Sequence, residues 1–222
     1  FPSYLDSYYT SNALDVQRDN GIIINSQLLN IYPMTGKPNP FPASEYALLG
    51  FLYSGPSHGY DLHKKLKEPA GIGLIWGVKI ANMYAQLDKL ARKGLINGHV
   101  IANDQRPARM EYSLTEAGKI EFLDWLFRIV EHPRDFRHDF ITRVHFLLKY
   151  FPGKLEEVID NQLAQCEKWG KETAKKETSL SAPGTFENLT FHFRLSQIQS
   201  MVDWLKWTKT QIPSIQYLRG EE

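Results

Sequence analysis

Between Val78 and Gly94 the sequence VKIANMYAQLDKLARKG divides into two faces when read at helical spacing. Ile80, Tyr84, Leu87 and Ala91 fall on one side, with Met83 and Leu90 beside them. Lys79, Asn82, Gln86, Lys89 and Lys93 fall on the other, so that amides and ammonium groups form one polar stripe. Such a helix can sit in a DNA major groove, where Asn and Gln pair with adenine edges and Lys with guanine or phosphate. Alone, the stripe also describes an ordinary amphipathic helix with a solvated face. What precedes and follows it decides between the two.

The helix is the third of a series. Ser44 is a suitable N-cap with Glu45 behind it, and Tyr46, Leu48, Leu49, Phe51 and Leu52 make a mostly apolar helix ending near Ser54-Gly55-Pro56. Ser57 can cap a second helix from His58 to about Glu68, with Tyr60, Leu62 and Leu66 inward and Pro69 as the stop. Gly71 and Gly73 predict a mobile connection leading to Trp76. Gly94 closes the third helix. Ile96–Ala102 then reads as a strand and Met110–Leu114 as its return partner. Asn103, Asp104, Gln105, Arg106, Pro107 and Ala108 form the polar loop between them. Thr115 caps a fourth helix, made apolar by Ile120, Leu123, Trp125, Leu126 and Val130. Helices two and three make a helix-turn-helix, and the hairpin is a wing. The third helix then enters the major groove, and the wing tip, with Arg106 and Arg109, lies on phosphates or in the minor groove. The expected fold is mainly α with a small β-hairpin wing.

Two regions flank this head, residues 43–131. Residues 1–42 carry many aromatic and β-branched side chains, with Gly21–Ile24 as a short strand or buried run and a Pro-rich linker at Pro33–Pro42. They read as an arm packing on the body or on a partner subunit; the alternative is a free tail. Residues 132–222 are helical. RDFRHDFITRVHFLLKYF sets Phe136, Phe140, Val144, Leu147 and Leu148 in register, and a long helix follows Pro152-Gly153 with Leu155, Ile159, Leu163, Cys166 and Trp169 on one face. After a break at 179–184, Phe186 to about Thr210 aligns Leu195, Ile198, Val202 and Leu205, with Trp204 and Trp207 alongside. Long aromatic-rich helices of this kind point to burial across a subunit interface, the competing arrangement being a fold back onto the winged head.

At this point the sequence resembles the PadR family of bacterial transcriptional regulators. The resemblance rests on spaced blocks over roughly residues 43–127: Ala47-Leu48-Leu49-Gly50-Phe51-Leu52, Gly55-Pro56-Ser57-His58-Gly59-Tyr60-Asp61-Leu62, Met83-Tyr84, Leu87, Leu90, Lys93-Gly94-Leu95-Ile96 and Tyr112-Ser113-Leu114-Thr115-Glu116-Ala117-Gly118. It implies a homodimer with two winged heads joined by C-terminal helical arms, and repression at a promoter modulated by a small ligand. The family usually carries a small hydroxyl or glycine pair ahead of its Ile-Tyr. Here Lys79-Ile80-Ala81-Asn82-Met83-Tyr84 stands there, which implies a different operator. Residues 1–42 exceed the family's short start.

The remaining chemistry narrows the function. The chain has 26 basic and 25 acidic residues, a net charge of +1, so DNA attraction must come from a local patch. Base readout is assigned to Asn82 and Gln86 with Lys79, Lys89 and Lys93 beside them, and phosphate contact to Tyr60, Lys64, Tyr84, Arg106 and Arg109. The seven histidines are scattered, with none at metal-pair spacing, and Cys166 sits on an apolar face, so neither catalysis, a metal nor a cofactor is expected. No membrane span or basic-then-apolar leader is expected, and a single cysteine suits the cytoplasm. For an effector, Trp76 and the other tryptophans offer flat walls for a planar aromatic compound. An anionic or nucleotide-like ligand held by Tyr4, Tyr8, Tyr9 and Arg18 of the arm is the alternative. The competing function class is a winged-helix module that binds a protein partner and not double-stranded DNA.

Overall fold

The helix expected from Ser44, α1 (Ala43–Tyr53), is apolar around most of its circumference, with every residue from Tyr46 to Leu52 buried. A helix apolar on all sides needs cover on all sides. That cover comes from α2 (Gly59–Leu66), α3 (Ile80–Arg92), α4 (Glu116–Phe127), α5 (Ile141–Tyr150) and the strand β5 (Arg106–Leu114). The computed structural model describes residues 41–103, 106–180 and 182–214 and the backbone of 18–19 and 22–23; the side chains of 102–108 and 180 are outside the description. The chain divides into two units, Phe1–Pro33 and Met34–Glu222. In the first, β1 (Arg18–Asp19) and β2 (Ile22–Ile23) pair antiparallel, Arg18 facing Ile23 and Asp19 facing Ile22. The short strand expected at Gly21–Ile24 is present at its centre; the expected packing of the arm lies outside the described residues.

The second unit carries a three-stranded antiparallel sheet in the order β3-β5-β4, with β3 at Ser57–His58 and β4 at Ile96–Asn103. Register runs from Ile96 opposite Leu114 to Asn103 opposite Arg106. The wing is therefore longer than expected, and Asn103, Arg106, Pro107 and Ala108 belong to strands, not to a loop. Cross-strand pairing overrode the weak strand propensity of those residues. Ser57 does not cap α2; it pairs with Tyr112 on the free edge of β5, and His58, which stands at the N-cap position of α2, pairs with Glu111. Nor does Ser44 cap α1, which starts one residue earlier after an uncapped Pro42. Tyr60, expected inward, is 70% exposed, whereas Leu62 and Leu66 are fully buried as expected. The Gly71–Gly73 connection is a packed 3-10 turn, Ile72–Leu74, with Ile72 buried and Gly73 pressed on the Glu68 carbonyl.

Other local signals act as read. The Thr115 hydroxyl accepts from the Gly118 amide at 3.0 Å and caps α4. Gly94 has φ +69°, the left-handed conformation that favours glycine. Its amide bonds the Ala91 carbonyl and that of Leu95 the Leu90 carbonyl, the paired closure of a Schellman turn.

Beyond α4 the chain runs through a 3-10 turn (Pro133–Asp135) and a π-turn (Phe136–Phe140) into α5. Two long helices, α6 (Leu155–Leu180) and α7 (Phe186–Gln211), pack antiparallel; Lys209 near the end of α7 meets Asp160 near the start of α6 at 2.6 Å. Leu155, Ile159, Cys166 and Trp169 of α6 and Ile198, Val202 and Leu205 of α7 are all buried. Gln162 of α6 clamps the backbone of Val130, accepting from its amide at 2.7 Å and donating to its carbonyl at 3.2 Å. The C-terminal hairpin thus does touch the end of the winged head. Even so, Phe186, Leu189, Phe193 and Trp207 of α7 remain 58–79% exposed. Among the described residues, no helix is long and apolar enough to cross a membrane.

Candidate nucleic-acid interface

The buried stripe of α3 is Met83, Leu87 and Leu90, all at 0% exposure, and it sets the rotation of the helix. Directly opposite lie Ala81, Ala85, Asp88 and Arg92, the first three in steps of four and three. The sequence reading is therefore rotated from the observed one. Ile80 and Tyr84, expected in the core, are 46% and 38% exposed. Gln86 and Lys89, expected on the wet face, turn toward the start of α1. Gln86 Nε2 donates to Ser44 Oγ at 2.8 Å, and Lys89 Nζ lies 2.8 Å from Glu45 Oε1. The Glu45 carboxylate is buried, so it requires the ammonium beside it. Lys89 and Lys93 also stand over the Phe41 ring, at 5.4 and 4.6 Å from its centroid. These three side chains fasten α3 to α1 and to Phe41, two residues before it.

What stays on the open face is the N-terminal part of the stripe. Lys79, Ala81, Asn82 and Ala85 are exposed. Tyr84 is held beside them by Gly59 at the start of α2, where an added methyl would stand 2.7 Å from the Tyr84 ring. Tyr60 and Lys64 are exposed one turn apart on α2. Arg109 is exposed on β5 opposite Ile101; the Arg106 side chain is outside the description. Lys79, Asn82, Tyr60, Lys64 and Tyr84 are thus brought to the two helices of the helix-turn-helix, while Gln86, Lys89 and Lys93 are drawn aside. Ala81 and Ala85, which the sequence reading passed over, lie at the centre of the outward line. The signal that could have found them was the Met83–Leu87–Leu90 spacing, which puts Ala81 and Ala85 on the opposite side of the helix.

A second feature lies below the head. A cavity of about 1050 Å³ is bounded by the 131–141 segment, α6 and α7. Phe136, Trp169 and Trp204 supply aromatic walls, and Arg134, Arg137, Lys176 and Arg194 outnumber the acids Glu131 and Glu172. Trp76 is not among its walls; its indole donates to Thr142 Oγ1 at 3.3 Å, tying the turn after α2 to α5. Tyr4, Tyr8, Tyr9 and the Arg18 side chain lie outside the described residues. Burial pushes the Cys166 thiol up to about 11, which leaves it protonated at neutral pH. Among the described residues no three His, Cys, Asp or Glu side chains converge as metal ligands.

A three-stranded sheet, a helix-turn-helix and a projecting hairpin define the head as that of a DNA-binding transcriptional regulator of the winged-helix class. Residues 48–124 match the transcriptional regulator PadR-like family. The negative transcriptional regulator PadR of Bacillus subtilis (strain 168) is 27% identical over 171 residues, covering 73% of this chain and 93% of that protein. The crystal structure of Bacillus subtilis PadR in complex with operator DNA is 26% identical over 76% of this chain and 98% of that one, at a TM-score of 0.38. The complex of the same protein with p-coumaric acid is 26% identical over 77% and 99%, at a TM-score of 0.35. Over residues 48–124 the chain thus matches the PadR-like family of transcriptional regulators, and over most of its length it is similar to a PadR negative transcriptional regulator.

Proposed function

We propose that the protein is a homodimeric repressor that reads a pseudo-palindromic operator with one α3 from each subunit. The observation that carries this reading is the open face at the start of α3, where Lys79 and Asn82 stand beside Ala81 and Ala85. Tyr60, Lys64, Tyr84, Arg106 and Arg109 take the phosphates around it. Residues 43–131 form the DNA-binding head and 132–222 the dimerisation and effector region. Phe186, Leu189, Phe193 and Trp207 share one side of α7 at coiled-coil spacing and are exposed, an apolar seam suited to a second copy of itself. Repression is the sense in which the Bacillus subtilis relative is named, and an operator binder of this kind works in the cytoplasm.

The cavity takes a planar aromatic anion, whose ring lies against Trp169 or Trp204 and whose charge meets the arginines. Titrating duplex DNA across a salt series tests the first part. Several phosphate contacts give a steep fall of log affinity with log salt; a flat response would favour a protein partner instead. Sedimentation of the full chain is expected to give a dimer, and Phe193→Glu a monomer; a wild-type monomer would remove the two-fold operator. p-Coumaric acid is the first effector probe: quenching of tryptophan fluorescence together with a change in operator affinity is expected, and quenching without that change would end the regulatory role.

A further inference from the structure

The composition of the outward line of α3 specifies what it reads. In helix-turn-helix docking the base contacts come from the N-terminal turns of the recognition helix. On this helix those turns present Ala81 and Ala85 at the centre, Asn82 on one flank and Ile80 on the other. Two methyl side chains at the centre let the helix backbone lie close to the groove floor. They carry no donor or acceptor, so the group they recognise is another apolar one, and the major groove displays only the thymine C5-methyl. The Asn82 amide matches the N6/N7 pair of adenine.

Guanine readers are withheld from the same surface. The Gln86 amide and Lys89 ammonium are bound to Ser44 and Glu45, and Lys93 rests on Phe41. Arg92 folds back, its Nε donating to the Asp88 carbonyl at 3.3 Å. Asp88 lies a turn further along and, as an acceptor, suits the amino groups of adenine or cytosine and not guanine itself. Lys79 at the N-cap is the remaining cation near the first turn.

We infer that the protein recognises an A·T core in each half-site, with Ala81 and Ala85 packing on thymine methyls and Asn82 pairing with an adjacent adenine. This rests on the reading of the chain as an operator binder. The test selects bound duplexes from a random pool with the full chain, then replaces each thymine of the selected half-site by uracil, which removes only the methyl group. An A·T core is expected, with about a fourfold loss of affinity for each uracil that faces an alanine, the worth of one buried methyl, and none at flanking thymines. Asn82→Ala is expected to lower the preference for one adenine by roughly tenfold or more. A G·C core, or uracil without effect at every core position, overturns the proposal while the operator reading survives. If selection yields no consensus at all, both fall together.

Discussion

Arg143 Nη2 lies 2.6 Å from Asp139 Oδ2, and the arginine side chain has no exposure to solvent. Asp139 also accepts from the Trp125 indole at 2.5 Å, and Trp125 stacks on Tyr46 at 4.6 Å with 4° between ring planes. The Tyr46 hydroxyl donates to Glu121 at 2.6 Å, and Arg143 donates to the Arg128 carbonyl. Desolvation draws the Arg143 pKa down from its ordinary value while the Asp139 charge and hydrogen bond hold it up. This buried chain of contacts joins α1 and α4 of the head to the π-turn and α5, next to the cavity-lining Phe136 and Arg137.

Removing one member of that pair strands the other. Arg143→Met is expected to cost about 3–5 kcal/mol, because Asp139 would stay buried without its counter-charge. Arg143→Met with Asp139→Leu is expected to recover part of the loss, since an apolar pair avoids both charge-desolvation penalties but gives up the bonds to the Trp125 indole and the Arg128 carbonyl. Urea unfolding of the two variants checks this; a double variant as unstable as the single one would contradict the account.

Lys89 separates a structural from a DNA-contacting role. If it serves the buried Glu45 carboxylate, Lys89→Ala lowers stability by about 1–2 kcal/mol, since a half-exposed ammonium gives a partly screened pair. Lys89→Ala with Glu45→Gln loses less than the sum of the single changes. Thermal melts without DNA decide the matter. An unchanged melting temperature with weakened DNA binding would return Lys89 to the groove.

Gly118 and Gly94 are constrained for different reasons. A methyl at Gly118 would run into the Leu95 carbonyl, which already accepts from the Thr115 amide at 3.1 Å, so backbone must move. Gly94 has open space around it and only its positive φ to satisfy. Gly94→Ala is expected to cost about 1 kcal/mol and Gly118→Ala about 2–3 kcal/mol, read from urea midpoints. Equal losses would show that the close approach of α4 to Leu95 is easily relaxed.

His145 predicts a pH dependence. Burial, with Lys149 nearby, lowers it to about 4, and its ring packs edge-on to Phe146 at 5.0 Å. Unfolding restores a pKa near 6.5. Between about pH 4 and 6.5 the unfolded chain therefore binds a proton that the folded chain refuses, and stability falls as pH falls through that window. Above about 6.5 this residue contributes no slope. The span is on the order of 3 kcal/mol. Urea midpoints for wild type and His145→Leu from pH 4 to 8 check it; an unchanged acid slope in the variant would assign the effect elsewhere.

Chain-local chemistry explains why so much of the head was legible. Thr115 and Gly94 act within a turn of their own positions, and the alternation of helix, helix, helix and hairpin follows from hydrophobic period and turn residues. The failures share another origin. Ser57 and His58 read as a helix start because nothing local reveals that β5 has an open edge. Arg106, Pro107 and Ala108 read as loop because their strand is decided by partners on β4.

Helix α3 divides along the same line. Its existence, extent and amphipathic character were determined by sequence, since they depend on spacing within one segment. Its rotation was decided by tertiary structure. Of two apolar stripes about half a turn wide, Met83–Leu87–Leu90 was selected by the shape of the surface beneath it. Glu45, a buried charge that must be neutralised, then drew Lys89 toward α1. That choice turned Gln86 toward Ser44 and left Ala81, Asn82 and Ala85 facing out. Pairwise demands between distant segments carry no periodic signal in either one, so only the packed structure could say which side chains of the helix face outward.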